Sequence, residues 1–139
     1  DFWVILYQLV KDGLTVVIST AYMDEAERCG RVALMEKGSL VLCDRPDNLA
    51  FHVAGDYYRI SCGNPRRARE VLSAEPGVLS VQSTGFETGV FTLPREDGAA
   101  WVRSLLREAG LDDVMVSRAR PSVEDVFVAV VNHQSGGRA

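Results

Sequence analysis

The chain has 139 residues, 47% apolar and 24% charged, enough to bury a core but not two large ones. Its net charge of −4 argues against the cationic surface that nucleic-acid binding needs, and no apolar run approaches the roughly 20 residues that span a bilayer. The three cysteines, Cys29, Cys43 and Cys62, are odd in number and lack any Cys-x-x-Cys spacing. That pattern suggests neither a disulfide framework nor a zinc site, and a cytosolic compartment fits best.

Phe2, Trp3, Ile5, Leu6, Leu9 and Val10 form a helical apolar stripe that is already under way at the first residue, so a preceding segment is expected. Gly13 supplies its stop. Residues 15–20, Thr-Val-Val-Ile-Ser-Thr, are a short run rich in β-branched side chains and read as a buried, parallel strand. From Met23, the carboxylates of Asp24, Glu25 and Glu27 crowd a first helical turn, where they meet the positive end of the helix dipole; the helix ends near Cys29. Residues 32–35 and 40–42 flank Glu36-Lys37-Gly38-Ser39 and predict a β-hairpin. Pro46 opens a further helical turn, and the change of composition at Ala54-Gly55-Asp56 marks a domain boundary.

The second half has its own rhythm. Residues 57–62 alternate as a strand, and Asn64-Pro65 reads as an N-cap with proline at the first helical position, the helix running to about Ala74. Residues 78–81 and 90–93 form two strands around a glycine-bearing loop over 85–89. Trp101, Leu105 and Ala109, with Val102 and Leu106 beside them, mark a helix that Gly110 ends, and residues 114–118 make a fourth strand. This βαββαβ order is the split-βαβ, ferredoxin-like arrangement, with two helices on one face of an antiparallel sheet. Ser122, with Asp125 three residues on, opens a last helix whose apolar side carries Val123, Val126, Phe127 and Val130. The polar tail over 133–139 is expected to be disordered.

Residues 15–27, Thr-Val-Val-Ile-Ser-Thr-Ala-Tyr-Met-Asp-Glu-Ala-Glu, together with Arg31-Val32-Ala33-Leu34 and Lys37-Gly38, closely resemble the end of an ABC-transporter nucleotide-binding domain. Pro121-Ser122-Val123-Glu124-Asp125-Val126-Phe127 resembles the Pro-Ser-x-Glu-Asp-x-Phe element that closes the accessory domain of drug- and lipid-exporter subunits. The resemblance implies a mixed α/β and α+β chain: the C-terminal segment of a P-loop NTPase-type nucleotide-binding domain over 1–54, then a ferredoxin-like accessory domain with an extra C-terminal helix over 55–132. It implies that Thr20, Ala21 and Tyr22 neighbour the nucleotide. Position 21 is where the family carries a switch histidine facing the ATP γ-phosphate; this chain has Ala21, whose methyl can neither donate a hydrogen bond nor orient a water.

The chain contains no Gly-x-x-x-x-Gly-Lys-Ser/Thr phosphate loop and no apolar strand ending in Asp-Glu, and the family's Ser-Gly-Gly signature is expected to be absent as well. The resemblance therefore implies no cofactor and no catalytic residue in this chain alone, with ATP and magnesium belonging to a longer parent. It implies a transmembrane permease and a second nucleotide-binding domain as the parent's partners, and a cytoplasmic location at the inner face of the cell membrane. A fragment with bare strand edges at 15–20 is expected to self-associate. The competing reading is a stand-alone small-molecule-binding regulatory module built on the βαββαβ unit. Arg66, Arg67 and Arg69 form a candidate partner or anion patch, although a solvated helix face explains them more simply. Asp24, Glu25 and Glu27 read as dipole partners rather than metal ligands, and Cys43 with His52 lacks companion ligands.

Overall fold

In the computed structural model, which describes residues 2–136, the chain opens with α1 (Phe2–Lys11), which Gly13 terminates at a positive φ of 93°. None of α1 is buried. Residues 14–20 carry no regular secondary structure, and Val17 is 91% exposed, so the expected buried strand at 15–20 is not formed. A strand exists through its ladder of backbone hydrogen bonds, and among the described residues no strand pairs with this segment. The elements on either side of the segment meet each other instead. The Tyr7 hydroxyl donates to the Arg28 carbonyl at 3.2 Å, and the Arg28 guanidinium lies 5.4 Å over the Trp3 ring.

The acidic helix is a single turn, α2 (Met23–Ala26), shorter than expected. β1 (Val32–Glu36) and β2 (Ser39–Asp44) then pair as an antiparallel hairpin. Its two-residue turn places both Lys37 and Gly38 at positive φ, 49° and 80°, the primed geometry whose twist matches that of the strands. Pro46 begins a 3₁₀ helix (Pro46–His52), held at its start by Asp44, whose carboxylate accepts from the Arg45 N–H at 2.7 Å and the Asn48 side chain at 3.1 Å. His52 Nε2 lies 2.9 Å from the same carboxylate, so it ends up as a hydrogen-bond partner of Asp44.

β3 (Asp56–Cys62), α3 (Pro65–Ser73), β4 (Val78–Thr84), β5 (Glu87–Thr92), α4 (Gly98–Glu108) and β6 (Val114–Arg118) follow in the expected sequence. Asn64 caps α3 by accepting from the Arg67 N–H at 3.0 Å. β4 and β5 are longer than the sequence suggests, because pairing continues from Val78 and Thr92 to Thr84 and Glu87 and leaves only Gly85 and Phe86 in the turn. The four strands form an antiparallel sheet in the order β4-β5-β3-β6.

Strand alternation sends neighbouring residues into two cores. Tyr58, Ile60, Val90, Val114 and Val116 face α3 and α4, where they meet Ala68, Leu72, Val102 and Leu106. The buried stripe of α4 is centred on Val102 and Leu106, with Trp101 and Leu105 at its margin. Trp101 instead packs over the turn at Gly77, beneath the Arg95 guanidinium at 4.5 Å. On the opposite face Tyr57 and Phe91 pack at a tilt of 59° with ring centroids 4.9 Å apart under α5 (Val123–Gly136), which buries Val123, Val126 and Ala129. Val32, Leu34, Leu49 and Val53 complete this second core, so the first half of the chain and the sheet share one apolar interior. α5 extends through 133–136, where the sequence reading placed a disordered tail; once a helix is nucleated, each added residue gains a backbone bond at low cost. Residues 137–139 of that tail lie outside the described residues.

Gly89 sits directly beneath the Tyr57 hydroxyl, and a Cβ there would fall onto that oxygen and within 3.1 Å of an Asp125 carboxylate oxygen. Because both groups are buried and bonded to each other, neither can retreat freely. Gly89→Ala is expected to destabilise the chain by about 1–3 kcal/mol, the usual cost of overpacking. Urea denaturation checks this; an unchanged midpoint would mean that the Tyr57 ring moves aside without loss.

Candidate functional site

The loop over residues 20–22 is exposed. The Thr20 hydroxyl accepts from the Tyr22 N–H at 3.0 Å, which bends the chain into α2 one residue before it starts. That bond uses one lone pair of the hydroxyl and not its O–H, Ala21 has no polar side-chain atom, and no lysine or arginine lies within the loop. This donor set does not by itself fit a magnesium-nucleotide. Among the described residues, no group of three or more His, Cys, Asp or Glu is arranged to hold a metal ion. Residues 135–137 do spell Ser-Gly-Gly, which corrects the expected lack of that triplet, but it follows the last helix's apolar stretch rather than preceding an acidic strand.

Directly behind the loop, α2 abuts the start of α5. Glu27, at the C-terminal end of α2, accepts through Oε1 from the Val123 N–H at 3.0 Å. Ser122 and Asp125 form a capping box: the Asp125 N–H donates to the Ser122 hydroxyl oxygen at 3.1 Å, and the Asp125 carboxylate accepts from the Ser122 N–H at 2.9 Å. The same carboxylate accepts from the Ser122 O–H at 2.7 Å and from the Tyr57 O–H at 2.8 Å. Arg59, two residues along β3 from Tyr57, pairs with Glu87 at 3.3 Å across the β3–β5 ladder. Glu27, Tyr57, Arg59, Gln82, Ser122 and Asp125 line an open polar cleft between α2, α5 and the sheet.

The arginine patch lies elsewhere. Arg66, Arg67 and Arg69 are exposed on α3, and both Arg66 and Arg67 reach Glu70, at 3.7 Å and 3.3 Å. Sharing one carboxylate reduces the patch's net charge, and exposed pairs of this kind contribute little to stability. The structure does not bring the patch to the 20–22 loop: α3 packs against β4, β5, β3 and α4. Glu27, Tyr57 and Gly89 were not singled out for this network by the sequence reading. The Ser122–Asp125 spacing was its one visible signal, and it reported only the helix start.

No family model matches the chain. In an alignment of 140 positions that takes in 97% of its length, it is 25% identical to the daunorubicin resistance ATP-binding protein DrrA2 of Streptomyces coeruleorubidus, and covers 44% of that protein. It is 32% identical over 133 residues to the Nod factor export ATP-binding protein I of Mesorhizobium japonicum, which takes in 88% of this chain and 38% of the relative. A shorter stretch of 56 residues, 40% of the chain, is 39% identical to the probable multidrug ABC transporter ATP-binding protein YbhF of Escherichia coli, at 10% of that protein's length. The chain's homologues are thus ABC transporter ATP-binding proteins, and it matches a portion of a drug-exporter-type ATP-binding subunit. It spans less than half the length of these curated relatives.

Burial, reinforced by the hydrogen bond and charge of Asp125, pushes the Tyr57 phenol above its ordinary value of 10, against a weaker opposing pull from Arg59. The neutral phenol is therefore favoured more in the folded chain than in the unfolded one. Its contribution is full below pH 10 and is lost as pH rises from there through the raised folded value. Tyr57→Phe is expected to lower stability at neutral pH by about 1–2 kcal/mol, through a lost bond to a buried carboxylate, and to flatten the alkaline decline. Chemical denaturation at several pH values reads both effects; a parallel decline in the two proteins would assign it to another group.

Proposed function

We propose that this chain is the C-terminal part of the ATP-binding subunit of an ABC exporter. The observation that carries this reading is the alignment with a daunorubicin resistance ATP-binding protein through 97% of the chain, both halves included. The βαββαβ element order and the sheet order β4-β5-β3-β6 support a ferredoxin-like accessory unit over 55–132. The apolar core shared by the first half and the sheet supports one working assembly rather than a stand-alone regulatory module. In this reading 1–54 is the end of the nucleotide-binding domain, and the intact polypeptide binds ATP and magnesium, pairs with a second nucleotide-binding domain and works on a membrane permease. Among the described residues no helix is long and apolar enough to cross a membrane.

Residues 20–22 are then the loop that meets the γ-phosphate. With Ala21 in place of a histidine, that ATP site lacks one charge-stabilising donor, a loss that typically costs about 10²–10³ in rate. Such a site holds ATP and turns it over slowly, an arrangement that works when an intact site elsewhere supplies hydrolysis. Calorimetry with magnesium ATP is expected to show binding to the intact polypeptide and none at micromolar affinity to the 139-residue chain, while Ala21→His in the intact polypeptide is expected to raise turnover tenfold or more. No binding by either protein would overturn the exporter reading, and an unchanged rate in a folded Ala21→His variant would overturn the missing-donor account.

Exposure of Phe2, Val4, Ile5, Val10, Leu14 and Val17, each more than half accessible, gives residues 2–20 a broad apolar surface. Contiguous apolar surface of this kind marks an interaction site or an aggregation liability. The isolated chain is expected to self-associate through it. Light scattering over a concentration series checks this, and a Val17→Asp, Ile5→Asp double variant should restore the monomer. A monomeric wild-type chain at high concentration would count against it.

A further inference from the structure

We propose that Glu27 is a positioning residue that couples the conformation of the 20–22 loop to the C-terminal helix α5, and through it to the sheet. The links are continuous. The Thr20 hydroxyl holds the Tyr22 N–H at 3.0 Å and so sets the entry into α2. α2 is one turn long, closed by the bond from the Glu27 N–H to the Met23 carbonyl at 3.2 Å, and has no spare turns in which a shift could be absorbed. Glu27 then reaches 96 positions along the sequence to accept from Val123 at 3.0 Å.

That contact falls where it matters to α5. The first N–H groups of a helix have no acceptor within the helix, and a carboxylate there also meets the positive end of the dipole. Glu27 thus supplies from outside what the helix start lacks. One and two residues to either side, Ser122 and Asp125 close the capping box, and Asp125 receives the Tyr57 hydroxyl at 2.8 Å from β3. Met23 and Ala26 pack into the same core as Val123 and Val126, so apolar contact and hydrogen bond join the same two elements. A displaced loop must either carry the start of α5 with it or break the Glu27 bond. Where the proposed role of the loop holds, this contact makes the nucleotide state felt at the accessory sheet; the contact itself needs no nucleotide, and the test exploits that.

The experiment is a double-mutant comparison by amide NMR on the 139-residue chain, carried in the Val17→Asp, Ile5→Asp background should the wild-type chain self-associate. Thr20→Ala, which loosens the loop, is expected to move the resonances of residues 122–125 and of Tyr57 when Glu27 is present, and to leave them in place when it is combined with Glu27→Ala. Glu27→Gln keeps an acceptor oxygen and is expected to restore the response. Glu27→Ala alone should speed hydrogen exchange at Val123 by about tenfold, the equivalent of one net hydrogen bond. Should Glu27→Ala fail to fold by circular dichroism, Glu27→Met removes the acceptor while keeping the side-chain stem. The proposal is overturned if Thr20→Ala leaves residues 122–125 and Tyr57 unmoved, or moves them equally with and without an acceptor at position 27. Either result leaves the exporter reading to be decided by magnesium ATP binding to the intact polypeptide.

Discussion

The Asp125 carboxylate is the point on which the arrangement depends. It is 8% exposed, and a carboxylate taken out of water is tolerated only when donors replace its hydration. Here the Ser122 N–H, the Ser122 O–H and the Tyr57 O–H do so. Two of these donors belong to the helix start and one to the sheet, so a single anion fixes where α5 begins and which face of the sheet it covers. Gly89 is the space that lets the Tyr57 hydroxyl reach it.

Once α5 is placed, the second core follows. The sheet's other face is closed by α3 and α4, two amphipathic helices that the sequence connects directly to its strands. On its α5 face, Val32, Leu34, Leu49 and Val53 from the hairpin, the 3₁₀ helix and the residue after it join the residues of α5 in one core. Arg118 with Asp56 and Arg120 with Asp47 tie the end of β6 and the residues after it to the start of β3 and to the 3₁₀ helix. A composition change at 54–56 marks a passage in the chain, yet the apolar interior runs across it.

The same economy is absent from the N-terminal residues. α1 and residues 14–20 are rich in large apolar side chains, yet none of α1 is buried, and Tyr7 and Trp3 reach Arg28 just beyond α2. Side chains of this kind are selected for burial. Their exposure places the exposed 20–22 loop between an open apolar surface and a closed core.

Local chemistry was readable from the sequence wherever a residue's own backbone preference decided the outcome. Asn64-Pro65 starts α3, Lys37-Gly38 turns the first hairpin, Gly110 stops α4 at a φ of 83°, and the alternation around Tyr57 and Tyr58 splits the sheet's two faces. The order of strands and helices after residue 55 was legible for the same reason. What failed was what needed a distant partner. Residues 15–20 have every local mark of a strand and none of the neighbours that make one. Glu27 looked like one of three acidic residues on a helix start, and only the folded chain shows it accepting from Val123, 96 positions away. Hydrogen bonds and packing between remote residues leave no spacing in the sequence, so the tertiary structure alone decided which carboxylate caps α5 and which glycine had to remain one.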